Sequence, residues 1–158
     1  MPRVRKTRSE QGRSTWLLRD ATASDAAALA TLLAELGYRR PQGDVAKALS
    51  DLQGVQDRVI VAEQQGEIIG LVTIHRTSFL HRVADGRVTS VVVAGSARGL
   101  GVGRELVEAA EAVVREWGCA RIEVTCGAHR SKAHEFYEHL GYTNNAKRFI
   151  KNIVQISS

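Results

Sequence analysis

Runs of apolar residues with different periods divide the chain into strands and helices. Trp16-Leu17-Leu18-Arg19 is a short apolar run that predicts a strand. Thr22-Ala23-Ser24-Asp25 then has the composition of a helix cap. Ala27, Leu29, Ala30, Leu32, Leu33 and Leu36 follow at helical spacing before Gly37, predicting a helix that glycine ends. Beyond Arg39-Arg40-Pro41, Val45, Leu49 and Leu52 share one face of a second helix over about 44–52. Val59-Ile60-Val61-Ala62-Glu63 and the run from Ile68 to His75 are strand-like and split by Gln64-Gln65-Gly66-Glu67, which predicts an antiparallel hairpin. The segment 78–86 shows no period, and 87–93 predicts another strand. From Val102, the positions Leu106, Ala110, Val113 and Trp117 form one stripe of a helix that ends at Gly118. A strand over 121–125, a helix over 132–140 and a last strand over 148–156, with Phe149, Ile153 and Ile156, complete the pattern. The order β, α, α, β, β, β, α, β, α, β has no repeat. It predicts a single α/β domain over 14–158, a mixed sheet with helices on both faces.

Composition narrows the class. A chain of 158 residues buries roughly two thirds of its unfolded surface without metal or disulfide. Cys119 and Cys126 lie seven apart with no partner pair, so they read as small core residues and no metal site is expected. The net charge of +5 sits mostly in residues 1–13, where Arg3, Arg5, Lys6, Arg8 and Arg13 face only Glu10. This segment reads as a solvated, disordered basic arm. No aromatic residue is interleaved with its charges, which argues against nucleic-acid recognition. No apolar run approaches the 18 or so residues of a membrane span, and the N-terminus lacks the apolar region of a secretory signal, so a cytoplasmic protein is expected.

The chemistry concentrates where Val91-Val92-Val93 leads through Ala94-Gly95-Ser96-Ala97 into Arg98-Gly99-Leu100-Gly101-Val102-Gly103-Arg104, directly ahead of the predicted helix. Glycines so spaced let successive backbone N–H groups point into one concavity, and the helix dipole adds to their pull on a pyrophosphate. A dinucleotide fingerprint requires glycine at Arg104, and a nucleotide-hydrolase loop requires Lys and Ser or Thr after Gly103, so both are excluded.

What Arg98 to Gly103 does resemble is the coenzyme A loop, [RQ]-x-x-G-x-[GA], of the GNAT family of N-acetyltransferases. Thirty residues on, the stretch Ala133-His134-Glu135-Phe136-Tyr137-Glu138-His139-Leu140-Gly141-Tyr142 resembles that family's A-x-x-[FL]-Y-x-x-x-G-[FY] helix. The resemblance covers roughly Thr15 to Val154. It implies a mostly antiparallel sheet whose strands before the two functional helices splay apart to admit acetyl-coenzyme A. Val91, Val92 and Val93 would meet the pantetheine arm, with backbone groups of Val91 and Val93 as its partners. Arg98, Gly99, Leu100, Gly101, Val102, Gly103 and Arg104 would hold the pyrophosphate.

The resemblance also assigns roles. A phenol is protonated at neutral pH and close to a thiol in acidity, so Tyr137 is the expected general acid toward the departing sulfur. Glu123 in Ile122-Glu123-Val124 matches a glutamate that many members use as base, and Asp85 is a second candidate. Arg130 replaces the family's asparagine and is expected on a cofactor phosphate, with His134 flanking the cofactor channel. His134 and His139 lie about 140° apart on a helix and cannot share a metal as in H-E-x-x-H. His75, His81 and His129 receive no role.

The implied activity is acetyl transfer to a primary amine of a small molecule. Arg130 to Tyr137, Gly141-Tyr142 and Arg148-Phe149-x-Lys151 are similar to aminoglycoside 6'- and aminoalkylphosphonate-type acetyltransferases. A protein lysine or N-terminal amine is the alternative acceptor, and a non-catalytic coenzyme A-binding module the alternative class. A homodimer is expected from the family alone.

Overall fold

A computed structural model describes residues 5–7, 15–125, 131–145 and 148–154, with only the backbone of 5–7. The elements are β1 (Arg5–Thr7), β2 (Trp16–Asp20), α1 (Ala26–Glu35), α2 (Gln42–Asp51), β3 (Asp57–Gln64), β4 (Glu67–Thr77), β5 (Asp85–Val93), α3 (Val102–Glu116), β6 (Arg121–Val124) and α4 (Ser131–His139). The strands form one sheet in the order β1-β2-β3-β4-β5-β6. Every neighbouring pair is antiparallel except β5 with β6. The chain divides into two units at Thr125, and the sheet with α1, α2 and α3 makes up the first.

Local chemistry explains most boundaries. Thr22 donates its backbone N–H to Asp25 Oδ2 at 2.7 Å, half of a capping box that starts the turn ahead of α1. The hairpin between β3 and β4 turns on Gln65 and Gly66, both at positive φ, the backbone of a two-residue loop matched to strand twist. In α3, Val102, Leu106, Val107, Ala110, Val113 and Val114 are buried, each large aliphatic side chain contributing about 1.5–3 kcal/mol of transfer free energy.

The two faces of the sheet are covered by different helices. A Cβ on Gly70 would lie 3.0 Å from Leu106 Cδ1, and one on Gly86 would lie 2.1 Å from Val114 Cγ2, so these strand positions face α3. Trp16 also faces α3, its Nε1–H donating to Glu105 Oε2 at 2.7 Å. By alternation Arg19 is on the opposite face, where its guanidinium donates to both oxygens of Asp25 at the head of α1.

Two expectations change. Three residues of the basic segment, Arg5–Thr7, form an edge strand on β2 and are not part of a free arm. A ladder needs only peptide groups, so a basic composition does not prevent one. The strand expected over 148–156 does not form in the described residues 148–154. Phe149, Ile150, Ile153 and Val154 are all exposed, so the alternation that suggested a strand has no buried face to enforce it. Cys119 is half-buried against the core, and Cys126 lies outside the described residues. Among the described residues no helix is long and apolar enough to cross a membrane.

Asp85, 1% exposed, is held between Arg82 at 2.6 Å and Arg121 at 2.9 Å. Burial pushes its carboxyl up, but the two guanidiniums outweigh burial and hold it below the usual range. Arg19 lowers Asp25 likewise, against an opposing desolvation. A folded-state pKa below the unfolded value adds stability above about pH 4, lost as pH falls through the folded values. The melting temperature is therefore expected to hold down to about pH 5 and drop steeply below about pH 4, less steeply in Asp85→Asn. A thermal melt series checks this, and equal acid slopes in the two proteins would refute it.

Candidate active site

The ladder between β5 and β6 covers only Asp85↔Arg121 to Val88↔Val124, whereas β5 continues to Val93. Among the described residues, Thr89 to Val93 is thus paired to β4 alone. The backbone N–H of Ala94 donates to the carbonyl of Ile69 at 2.8 Å. By the alternation of an antiparallel ladder, Val92 also turns its peptide groups to β4, and Val91 and Val93 turn theirs to the open edge. A register shift between Thr73 and Ile74 lies opposite Thr89, a bulge where the opening begins. The open edge is roughly 16 Å long at 3.3 Å per residue.

At its far end β5 runs through a short turn, Gly95–Ala97, into Arg98 and the glycine loop. Glu35 at the end of α1 accepts the backbone N–H of Gly95 at 2.9 Å and ties this turn down. Gly99 and Gly101 have φ of 76° and 95°, values side chains resist, and Gly101 caps α3. Its carbonyl already accepts the N–H of Glu105 at 3.1 Å, so the N–H groups of Val102, Gly103 and Arg104 are the head of α3. Arg98, Gly99, Leu100 and Gly101 are exposed, while Val102 anchors the helix in the core. Arg104 is exposed and paired to Glu108 along the helix at 3.0 Å.

Register builds a polar row across the face opposite α3. Asp57 pairs with His75, His75 with Arg87, and Arg87 with Glu123, one residue from each of β3, β4, β5 and β6. Arg87 Nε donates to Glu123 Oε1 at 2.6 Å. His75 Nδ1 lies 2.6 Å from Asp57 Oδ1, and His75 Nε2 lies 3.1 Å from Thr89 Oγ1. Glu123 therefore stands beside the opening but spends one oxygen on Arg87. Asp85, the second candidate base, is enclosed by its two arginines and serves to join the starts of β5 and β6. The link from Asp57 through His75 to Thr89 was not assigned from sequence. Its residues are 18 and 14 apart on three strands, and only register and the bulge bring them together.

In the second unit, Tyr137 lies half-buried in the last turns of α4. The backbone N–H of Tyr142 donates to the Tyr137 carbonyl and that of Gly141 to Glu138, both at 3.0 Å, with Gly141 at φ 89°. This Schellman closure brings the Tyr142 ring edge-on to Tyr137 at 5.7 Å, and Phe136 packs edge-on at 5.1 Å, so the phenol is held by two rings. His134 is half-buried one turn before it, and Arg130 lies outside the described residues. Among the described residues no group of three or more His, Cys, Asp or Glu could hold a metal.

A model described as the acetyltransferase (GNAT) family matches residues 24–142. Aminoalkylphosphonate N-acetyltransferase of Salmonella typhimurium is 31% identical over 140 residues, covering 85% of this chain and 89% of that protein. Among solved structures, a transcriptional regulator from Bacillus halodurans is 26% identical with a TM-score of 0.80, covering 86% of this chain and 98% of that one. An aminoglycoside N-acetyltransferase in complex with CoA is 14% identical, also with a TM-score of 0.80, covering 91% and 98%. At that identity the second likeness is one of fold alone.

Proposed function

The chain belongs to the acetyltransferase (GNAT) family of enzymes, and from that premise we propose that it moves the acetyl group of acetyl-coenzyme A onto the primary amine of a small molecule, with Tyr137 as general acid. The observation that carries this reading is the opening of the sheet after Val88↔Val124 on a strand that runs straight into a glycine loop and a helix head. An extended pantetheine arm offers amides to the peptide groups of Val91 and Val93, which no described strand pairs on that edge. The pyrophosphate meets the N–H groups at the start of α3, where the helix dipole favours an anion. Bound there, acetyl-coenzyme A supplies an activated acyl carbon, and the protein supplies position and protons.

The neutral amine attacks the thioester carbon, the C–S bond breaks, the phenol of Tyr137 gives its proton to the departing thiolate, and the nitrogen releases a proton as the amide forms. The likeness to an aminoalkylphosphonate acetyltransferase supports a small-molecule acceptor. The test is thiol release from acetyl-coenzyme A in the presence of polyamines, aminoglycosides, aminoalkylphosphonates or lysine peptides. Release that depends on a small amine is expected. Release with peptides alone would move the acceptor to protein, and coenzyme A binding without release across the panel would overturn the transferase reading.

A further inference from the structure

A primary amine reaches a neutral-pH enzyme mostly as an ammonium ion, and it must lose a proton before or during attack. Resting on the transferase reading, the geometry points to Asp57, His75 and Thr89 as the relay that takes this proton. Asp57 Oδ1 is 2.6 Å from His75 Nδ1, and an ionised carboxylate only accepts, so Nδ1 carries the hydrogen. His75 Nε2 is then the acceptor of the imidazole. Its partner at 3.1 Å is the hydroxyl of Thr89, the first residue of β5 past the last pair with β6. One end of the relay thus stands at the start of the open edge. Asp57 at the other end lines a cavity of about 440 Å³ shared with Asp20, Leu49, Leu52 and Arg58, which gives the proton an exit to water.

The bonds balance. The ammonium gives one proton to Thr89 Oγ1 while the proton of that hydroxyl passes to His75 Nε2, and the neutral nitrogen then bonds to the acetyl carbon. The C–S bond breaks, the thiolate takes the proton of Tyr137, and the second proton leaves the acylated nitrogen to water, which returns one to the tyrosinate. Thr89 is the group that touches the amine, and His75 and Asp57 act through it. The charges facing His75 are Asp57 from β3 and Arg87 from β5, the latter neutralised by Glu123 on β6. Glu123 is the competing base. One of its oxygens holds Arg87, whereas His75 Nε2 already has a hydroxyl within hydrogen-bond distance.

The experiment is the pH dependence of kcat and kcat/KM for wild type, His75→Gln, Thr89→Val, Thr89→Ser and Glu123→Gln, using whichever panel amine turns over. The relay predicts that His75→Gln removes the acidic limb and lowers kcat by about a hundredfold to ten-thousandfold, as for loss of a proton acceptor. Thr89→Val loses kcat comparably with coenzyme A affinity intact, and Thr89→Ser restores it. An acidic limb that survives in His75→Gln, or one that vanishes only in Glu123→Gln, overturns the relay and leaves the transferase reading standing. A wild-type protein that releases no thiol with any amine sinks that reading first, and this one with it.

Discussion

Tyr137→Phe is expected to lower amine-dependent turnover of acetyl-coenzyme A by about a hundredfold to ten-thousandfold while coenzyme A affinity stays nearly intact, in the range for losing one general acid. The substitution removes a single oxygen. The ring contacts with Phe136 and Tyr142 and the Schellman closure of α4 use the aromatic ring and backbone of Tyr137, and both remain in phenylalanine. The loss expected for a general acid falls on kcat. Steady-state kinetics with a calorimetric coenzyme A titration separates the two terms. Unchanged turnover would take Tyr137 out of the mechanism, and weakened coenzyme A binding would make the hydroxyl a ligand.

Gly86→Val should cost the fold about 3 kcal/mol, the upper range for overpacking a filled interior. A Cβ on Gly86 would stand 2.1 Å from Val114 Cγ2 and 2.9 Å from Val114 Cβ, so rotating the Val114 side chain does not clear the space. Valine adds two further carbons. α3 must move off β5, and its buried stripe loses contact along with it. For a chain of this size, 3 kcal/mol is roughly a 6–12 °C fall in melting temperature. Gly43→Ala is the matched control, since a Cβ there meets nothing within 4 Å. If Gly86→Val melts within two or so degrees of wild type, the close approach of α3 to β5 is not what the packing implies.

The parts of the molecule that were legible in the sequence are those built by local rules. Gly99 and Gly101 announce a backbone that needs positive φ, and the Thr22 to Asp25 cap, the Gln65-Gly66 turn and the α3 stripe each depend on residues within a few positions of one another. The polar row from Asp57 to Glu123 was not legible, because a row across four strands exists only once register is set. A bulge shifts that register by one residue at Thr89. His75 carries no motif, and no spacing rule connects it to Asp57 or Thr89. The last apolar segment misled for the reverse reason. Its alternation is a local pattern, but a strand is made by its neighbours, and Phe149, Ile150, Ile153 and Val154 are left exposed.

The open edge of β5 presents peptide groups, and these are the same whichever residue other than proline occupies positions 91 and 93. A cofactor read through the main chain is insulated from sequence drift, since a substitution there alters bulk on the faces of the sheet and leaves the donors and acceptors at its edge in place. The side chains of the polar row have no such protection, and on the proposed relay each change among them alters what an incoming amine meets. Donor recognition and acceptor chemistry can therefore evolve at different rates on one strand, so a lineage can acquire new substrates without losing its acyl donor.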